Sequence, residues 1–263
     1  MEKIEKAVLC MNANCLGYNG ADIYSFEYFY FLWEIDNDIR FIIIGDDTHY
    51  NILIDTIKNR YDLDASVFDS IIHVQSVYKL IRYRIKYPLI FAKYYVNQME
   101  LGLCGSTKIF IYCNDKGIIS TKLPNRIYGY YDYQTFDVRT PLKFYWEIYK
   151  TIDQCDNATM VGVDRGSKIS NKYTESTKLF SREYDSTANV FGRYDTFIYA
   201  MNKFDRNNRL IPESLFYNKN VIYDVDKPHD SAWFRYNDIV NGNMDKYTLK
   251  FSDILIQEYL NEL

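Results

Sequence analysis

The chain has 263 residues, a formal net charge of −4 and a pI near 5.5, with 48% hydrophobic and 25% charged residues. This length accommodates one large or two small domains, and the composition excludes a disordered chain. The negative net charge does not favour binding to duplex DNA, because proteins usually bind duplex DNA through a basic surface. A local basic patch is still compatible with this net charge.

The cysteines and the apolar segments indicate a cytoplasmic protein with no membrane contact. No C-x-x-C pair occurs, and an odd number of cysteines in this spacing favours reduced thiols over a disulfide framework or a zinc site. No secretion signal and no run of eighteen apolar residues is present. The five cysteines are Cys10, Cys15, Cys104, Cys113 and Cys155.

The first part of the chain alternates apolar strand patterns with helical ones, which predicts a parallel sheet covered on both faces. Asp46, Asp47 and Thr48 offer an N-cap for the second helix. Strands are predicted at 6–11, 40–45, 70–74 and 108–113, and helices at 21–35, 50–61 and 88–103.

The second part repeats this alternation after a polar, tyrosine-rich stretch at 120–140, which is interpreted as a linker or a loop-rich crossover. Pro212 suits the first turn of a helix between the last two strands. Strands are predicted at 158–163, 195–201 and 220–225, and helices at 142–152, 172–184 and 252–263, the last capped by Ser252.

These patterns predict an α/β protein with two facing Rossmann-like domains, at 1–141 and 142–263, closed by a C-terminal helix. Ligands of such folds bind beyond the carboxyl ends of the strands. The loops at 12–22, 114–117, 164–168 and 205–213 are therefore the candidate site segments.

A dense basic stretch at 79–86 is a candidate nucleic-acid contact. On a helix, Lys79, Arg82 and Lys86 would share one face, which suits a phosphate backbone. A solvated helix face explains the same pattern. The three histidines are too dispersed in sequence to predict a metal site.

The stretch from 195 to 238 resembles the donor-site segment of GT-B glycosyltransferases. A strand leads to a helix start that reads Arg209-Leu-Ile-Pro212-Glu213, and a second strand follows. The segment is especially similar to small glycosyltransferase-like proteins of phages, related to phage DNA-base glycosyltransferases. Over the first 120 residues the resemblance is architectural only.

The resemblance implies a donor-nucleotide site in the second domain. Glu213 would accept both ribose hydroxyls, and Arg209 would add a cation beside the diphosphate, as helix N-terminal amides also do. Arg165 and Lys168 would neutralise the phosphates without a metal. The same residues also have an explanation without a ligand. Glu213 would then be an acid that stabilises the first turn of a helix, and Arg165 and Lys168 would belong to a solvated basic turn.

Gly17 and Gly20 would let the backbone of the first loop approach the donor, since glycine carries no Cβ. The catalytic base is predicted to be either Asp115, which follows the strand at 108–113, or Asp22, at the start of the first helix. Either aspartate could instead be a simple turn or cap residue.

The resemblance thus implies transfer of a sugar from a nucleotide-diphosphate sugar, with a UDP-sugar as the expected donor, to a hydroxyl acceptor. A hydroxymethylated DNA base is the first acceptor to consider. No cofactor or metal is expected, because the D-x-D tripeptide Asp224-Val-Asp226 ends a strand. A non-catalytic nucleotide or sugar-nucleotide binding protein is the alternative, and an interaction protein with an aromatic surface is a third interpretation.

Overall fold

The fold is given by a computed structural model, in which a subset of the chain is described. The described residues are 2–11, 20–92, 109–113, 127–132, 143–152, 159–162, 177–179, 190–199, 209–223, 237–238 and 241–261.

A six-stranded parallel sheet forms the first part of the fold. Its strands follow the order β3-β2-β1-β4-β5-β6, and every neighbouring pair is parallel. The strand order reverses between β1 and β4, and this point of an open α/β sheet is where ligands generally bind. The strands are β1 (Glu2–Met11), β2 (Arg40–Ile44), β3 (Ile71–Val74), β4 (Tyr83–Ala92), β5 (Ile109–Cys113) and β6 (Ile127–Asp132).

Two helices follow the first two strands: α1 (Gly20–Ile35) and α2 (Asp47–Arg60). Residues 22–30 of α1 are all buried, so this part of the helix is covered on every side. The predicted N-cap of α2 is confirmed, because the Asp46 side chain accepts a hydrogen bond of 2.7 Å from the backbone N–H of His49.

A second parallel sheet has four strands in the order β10-β9-β7-β8. The helix α3 (Leu210–Phe216) connects β9 to β10, and Pro212 lies in its first turn as predicted. The last helix is α4 (Ile254–Leu260). The strands are β7 (Thr159–Gly162), β8 (Thr177–Leu179), β9 (Thr196–Tyr199) and β10 (Asn220–Tyr223).

One large apolar cluster includes residues of both sheets. It contains Phe26 of α1, Phe41 of β2 and Phe197 of β9. The segment 143–152 lies inside it, since Phe144 stacks on Trp146 and Trp146 stacks on Phe216 of α3. A smaller cluster on β1, β2 and β4 includes Ile4, Ala7, Leu9, Ile42, Ile44, Ile85 and Ile90.

The structure confirms the α/β class and a parallel sheet, and it corrects the predicted helix at 88–103. Residues 88–92 belong to β4, and the rest of that segment lies outside the described residues. An apolar run fits a buried strand or a helix equally well, so periodicity alone misassigned it. Proline is unusual in a central strand. Here Pro88 lies opposite Ala7 of β1, and the pairing with β5 begins one residue later, at Leu89.

Four further sequence predictions are wrong. The described part of the predicted helix at 142–152, residues 143–152, forms only a short 3-10 turn, Trp146–Ile148, because it pairs with other segments through bridges at Tyr61–Tyr149 and Phe144–Thr248. The predicted linker at 120–140 contains β6, and β8 lies where a polar helix was predicted. The last helix has Asp253, rather than Ser252, as its N-cap.

No helix within the described residues is long and apolar enough to cross a membrane. The predicted domain boundary, between residues 141 and 142, lies outside the described residues and stays a prediction.

Candidate functional site

Three buried polar side chains converge beyond the first strands of the six-stranded sheet. Cys10 lies near the end of β1, Asp22 in the first turn of α1 and His49 in the first turn of α2. The Cys10 thiol donates to Asp22 Oδ1 at 3.2 Å, and Asp22 Oδ2 lies 3.8 Å from His49 Nε2. One polar atom from each side chain lies within 4.8 Å of the other two. We call these residues the Cys-Asp-His cluster.

The local structure explains why these three side chains meet. In a parallel sheet, each helix that follows a strand begins at the carboxyl edge, so its first-turn residues come to the end of β1. The Asp46 cap fixes the first turn of α2. A Cβ at Gly45 would lie 3.0 Å from His49 Cδ2, so a larger residue there would push the imidazole by a few tenths of an ångström.

A second buried polar cluster joins α1 and α2 to α3. Arg209 donates from Nε to Glu213 Oε1 at 2.9 Å and from Nη2 to Glu27 Oε1. Arg60 Nη1 donates to the same Glu213 oxygen at 2.9 Å. Tyr149 accepts from Arg209 Nη2 at 2.7 Å and donates to Glu27 at 2.6 Å. We call these five residues the Arg-Glu network.

Burial and charge set the protonation states in this network. Burial raises the pKa of Tyr149 well above its ordinary value, and the Glu27 carboxylate adds to the increase. For Arg209 burial acts against the charge, but Glu27, Tyr149 and Glu213 outweigh it and hold the pKa well above its ordinary value. The guanidinium therefore stays charged and the phenol stays neutral.

Two atoms of the Arg-Glu network have no hydrogen-bond partner among the described residues. They are Arg209 Nη1 and Glu213 Oε2, both buried. A buried donor and a buried acceptor left in this way cost free energy unless a water or a ligand satisfies them.

Arg209 and Glu213, which were predicted to bind the donor nucleotide, therefore lie in the buried core rather than in an open cleft. Arg209 and Glu213 contact each other, as their spacing suggests, but both are buried against α1 and α2. Gly20 begins α1 as expected of a loop-to-helix junction. Their roles toward a nucleotide stay predictions. Gly17, Asp115, Arg165 and Lys168 lie outside the described residues.

The predicted shared face of Lys79, Arg82 and Lys86 is wrong. Lys79 and Arg82 lie in a 3-10 turn, Val77–Arg82, and Lys86 lies in β4. The apolar residues of 83–92 pair with β1, which ends the helical turn before Lys86. Lys86 Nζ donates to Glu5 at 2.8 Å, and this hydrogen bond lowers the pKa of Glu5.

Sequence reasoning missed Cys10 and His49 because they are 39 positions apart and belong to no short motif. A usable signal existed, since each stands at a junction between a strand and a helix. Glu27 was also missed. A single acid inside the apolar stretch of α1 indicates a buried partner, but its partner Arg209 is 182 positions away.

Comparisons of the chain with protein-family models, with curated proteins and with solved structures find no match.

Proposed function

We propose that this protein is a glycosyltransferase of the GT-B type that binds a nucleotide-diphosphate sugar beyond the carboxyl ends of its parallel strands. The observation that carries the proposal is that both parallel sheets, β3-β2-β1-β4-β5-β6 and β10-β9-β7-β8, have a switch point beside their first strand, so each sheet offers a ligand-binding edge. This arrangement is typical of nucleotide-binding α/β sheets.

The second parallel sheet supports a two-domain arrangement. Its order, β10-β9-β7-β8, also places neighbouring strands on both sides of its first strand, β7. In the proposed arrangement the two Rossmann-like domains face each other, and the donor nucleotide binds to the second. Among the described residues, Arg209 Nη1 and Glu213 Oε2 have no hydrogen-bond partner, so they would offer one donor and one acceptor to a sugar hydroxyl once the buried network opens toward the donor.

The proposed transfer needs a base for the acceptor hydroxyl, and Asp115 and Asp22 are the candidates. The base takes the hydroxyl proton while the acceptor oxygen bonds to the anomeric carbon. The bond from that carbon to the diphosphate breaks, and the nucleoside diphosphate leaves. A hydroxymethylated DNA base is the proposed acceptor, and a UDP-sugar is the proposed donor.

Thermal-shift measurement with UDP, GDP and their sugars tests nucleotide binding. A ligand present at 100 times its Kd should stabilise the fold by about 2.7 kcal/mol. Absence of a shift with every nucleotide would contradict both the transferase and the binding-protein alternative.

Transfer itself is tested by incubating the protein with a labelled nucleotide sugar and hydroxymethylated DNA. Asp115→Asn and Asp22→Asn separate the two candidate bases, because loss of the base abolishes transfer while nucleotide binding is retained. Asp55→Asn is the matched control, since Asp55 is an exposed carboxylate of α2. Transfer that survives in both single variants would rule out either aspartate as the base.

A non-catalytic nucleotide-binding protein is favoured by one observation. Asp22 is buried and its two oxygens already face the Cys10 thiol and the His49 ring. Nucleotide stabilisation without transfer to any hydroxyl acceptor, and without donor hydrolysis, would select this alternative.

A further inference from the structure

The Cys-Asp-His cluster combines the three side-chain types that hold zinc in proteins: a thiol, a carboxylate and an imidazole. In a tetrahedral zinc site with bonds of about 2.0–2.3 Å, ligand atoms lie about 3.3–3.8 Å apart. The distance from Cys10 Sγ to Asp22 Oδ1 is 3.2 Å, and that from Asp22 Oδ2 to His49 Nε2 is 3.8 Å. These two distances involve different oxygens of Asp22, and one polar atom from each side chain lies within 4.8 Å of the other two, so small side-chain rotations would bring three ligand atoms around one ion.

The charges of these side chains also suit a divalent cation. Cys10 and Asp22 are each 2% exposed, and His49 is 4% exposed. A thiolate, a carboxylate and a neutral imidazole around Zn²⁺ give a centre with no net charge, which lowers the cost of burial. Asp22 and His49 lie in the first turns of α1 and α2, whose N-terminal dipoles stabilise the anionic forms of nearby ligands.

Each ligand is held in place before any ion binds. Asp46 caps the turn that carries His49, and Gly45 leaves room for its ring. The Ser25 hydroxyl donates to the backbone oxygen of Asp22 at 2.7 Å, which fixes the first turn of α1. Cys10 lies in a strand that is paired on both sides. Such pre-organisation reduces the entropy lost on binding.

We propose that Cys10, Asp22 and His49 bind one Zn²⁺ ion. Binding displaces the thiol proton of Cys10 to solvent, because the thiolate is the ligand. Three protein ligands leave the fourth position to an oxygen of water or of a bound molecule, as in catalytic zinc sites. This inference goes beyond sugar transfer and does not rest on it. With Asp22 bound to zinc, Asp115 is the base of the proposed transfer.

Zinc binding is measured on the full chain after removal of metal by a chelator. Titration with Zn²⁺ against a chromophoric competitor should give one tight site per chain. Substitution with Co²⁺ should add a thiolate-to-cobalt charge-transfer band, which reports Cys10 directly. A chain that binds no zinc more tightly than the competitor would overturn the proposal and leave the cluster as a hydrogen-bonded group.

Three variants and one control locate the site. Cys10→Ser, Asp22→Asn and His49→Gln should each weaken zinc binding by more than about 100-fold, because loss of an outer-shell partner alone costs 10–100-fold. Asp55→Asn should bind as the wild type does, since Asp55 is an exposed carboxylate of α2 outside the cluster. Unchanged affinity in His49→Gln would refute the assignment. Circular dichroism confirms that each variant is folded, and Cys10→Ser gives a near-isosteric test if Asp22→Asn unfolds.

The zinc and nucleotide readouts separate the two proposals. Nucleotide thermal shifts are repeated on the metal-free protein and on Cys10→Ser. Zinc binding without any nucleotide shift would sustain the metal site and refute sugar transfer. A nucleotide shift without zinc binding would refute the metal site and leave the nucleotide proposal standing.

Discussion

At the residue scale, the Arg-Glu network places two carboxylates and two guanidinium groups where little water reaches. Arg209 is 4% exposed, and Glu27 and Glu213 are fully buried. Arg209 suits this position because its planar group donates to Glu27 and Glu213 from different nitrogens. Its central position means that its removal leaves both carboxylates with fewer charged partners.

Replacing Arg209 by methionine should therefore lower the free energy of unfolding by about 3–5 kcal/mol. Breaking a buried ion pair from one side leaves an uncompensated charge, and losses of that size are typical. Urea unfolding at equilibrium measures the change.

The control for this substitution is Arg82→Met. Arg82 is exposed at the end of its 3-10 turn, so the effect should stay within about 0.5 kcal/mol. A loss below about 1 kcal/mol in Arg209→Met would show that water or relaxation compensates the two carboxylates.

At the element scale, the start of α2 determines where His49 lies. The Asp46 carboxylate accepts from the His49 N–H, and the ring of His49 packs against Gly45. The same cap therefore stabilises the helix and positions one member of the Cys-Asp-His cluster. A substitution that disrupts this turn would therefore affect both the stability of the protein and the position of His49 in the cluster.

We expect Asp46→Ala to destabilise the protein by about 0.5–2 kcal/mol, because the first turn of α2 loses its side-chain acceptor. Thermal unfolding followed by circular dichroism measures this. Asp46→Asn retains an acceptor and should lose much less. Equal losses in the two variants would mean that the charge of Asp46, rather than the cap, carries the effect.

At the scale of the whole molecule, buried tyrosines connect the parts of the fold. Tyr61 donates to Glu27 at 2.5 Å, and Tyr259 of α4 donates to the backbone oxygen of Tyr87 in β4 at 3.0 Å. Burial is the main cause that raises the pKa of these hydroxyls. The tyrosines with raised pKa values, all buried or half-buried, include Tyr30, Tyr61, Tyr145, Tyr149, Tyr217 and Tyr259.

Stability should consequently fall as the pH rises above about 10, the ordinary pKa of tyrosine. A hydroxyl with a raised folded-state pKa keeps its proton in the folded chain while the unfolded chain releases it. Its contribution is thus complete below pH 10 and is lost progressively above it. Urea unfolding at several alkaline pH values measures the slope.

Tyr149→Phe isolates one of these groups. Its slope above pH 10 should be smaller than the wild-type slope by about 1.4 kcal/mol per pH unit. Tyr78→Phe, in which a side chain that is 61% exposed is changed, is the matched substitution. Identical slopes for Tyr149→Phe and the wild type would contradict the assignment of Tyr149 as a buried neutral phenol.

Local patterns in the sequence determined most of the described elements. Apolar runs predicted β1, β2, β3, β5, β7, β9 and β10, helical spacing predicted α1, and helical spacing with a capping aspartate predicted α2. These features depend on neighbouring residues, so they are readable without the fold. The run at 88–92 was not readable in this way, because its residues 88–90 are all buried and lack the alternation that separates a strand from a helix.

The side-chain clusters were decided by the tertiary structure alone. The sequence identified Asp22, Arg209 and Glu213 as candidates, and the fold supplied their neighbours. Cys10 and His49 meet Asp22 because parallel strands place their ends at one edge of the sheet. Glu27 meets Arg209 because the core brings α1 and α3 together. These contacts join residues that are far apart in the chain. A local sequence pattern does not specify which distant side chain packs against a given residue, so only the tertiary structure shows the contact.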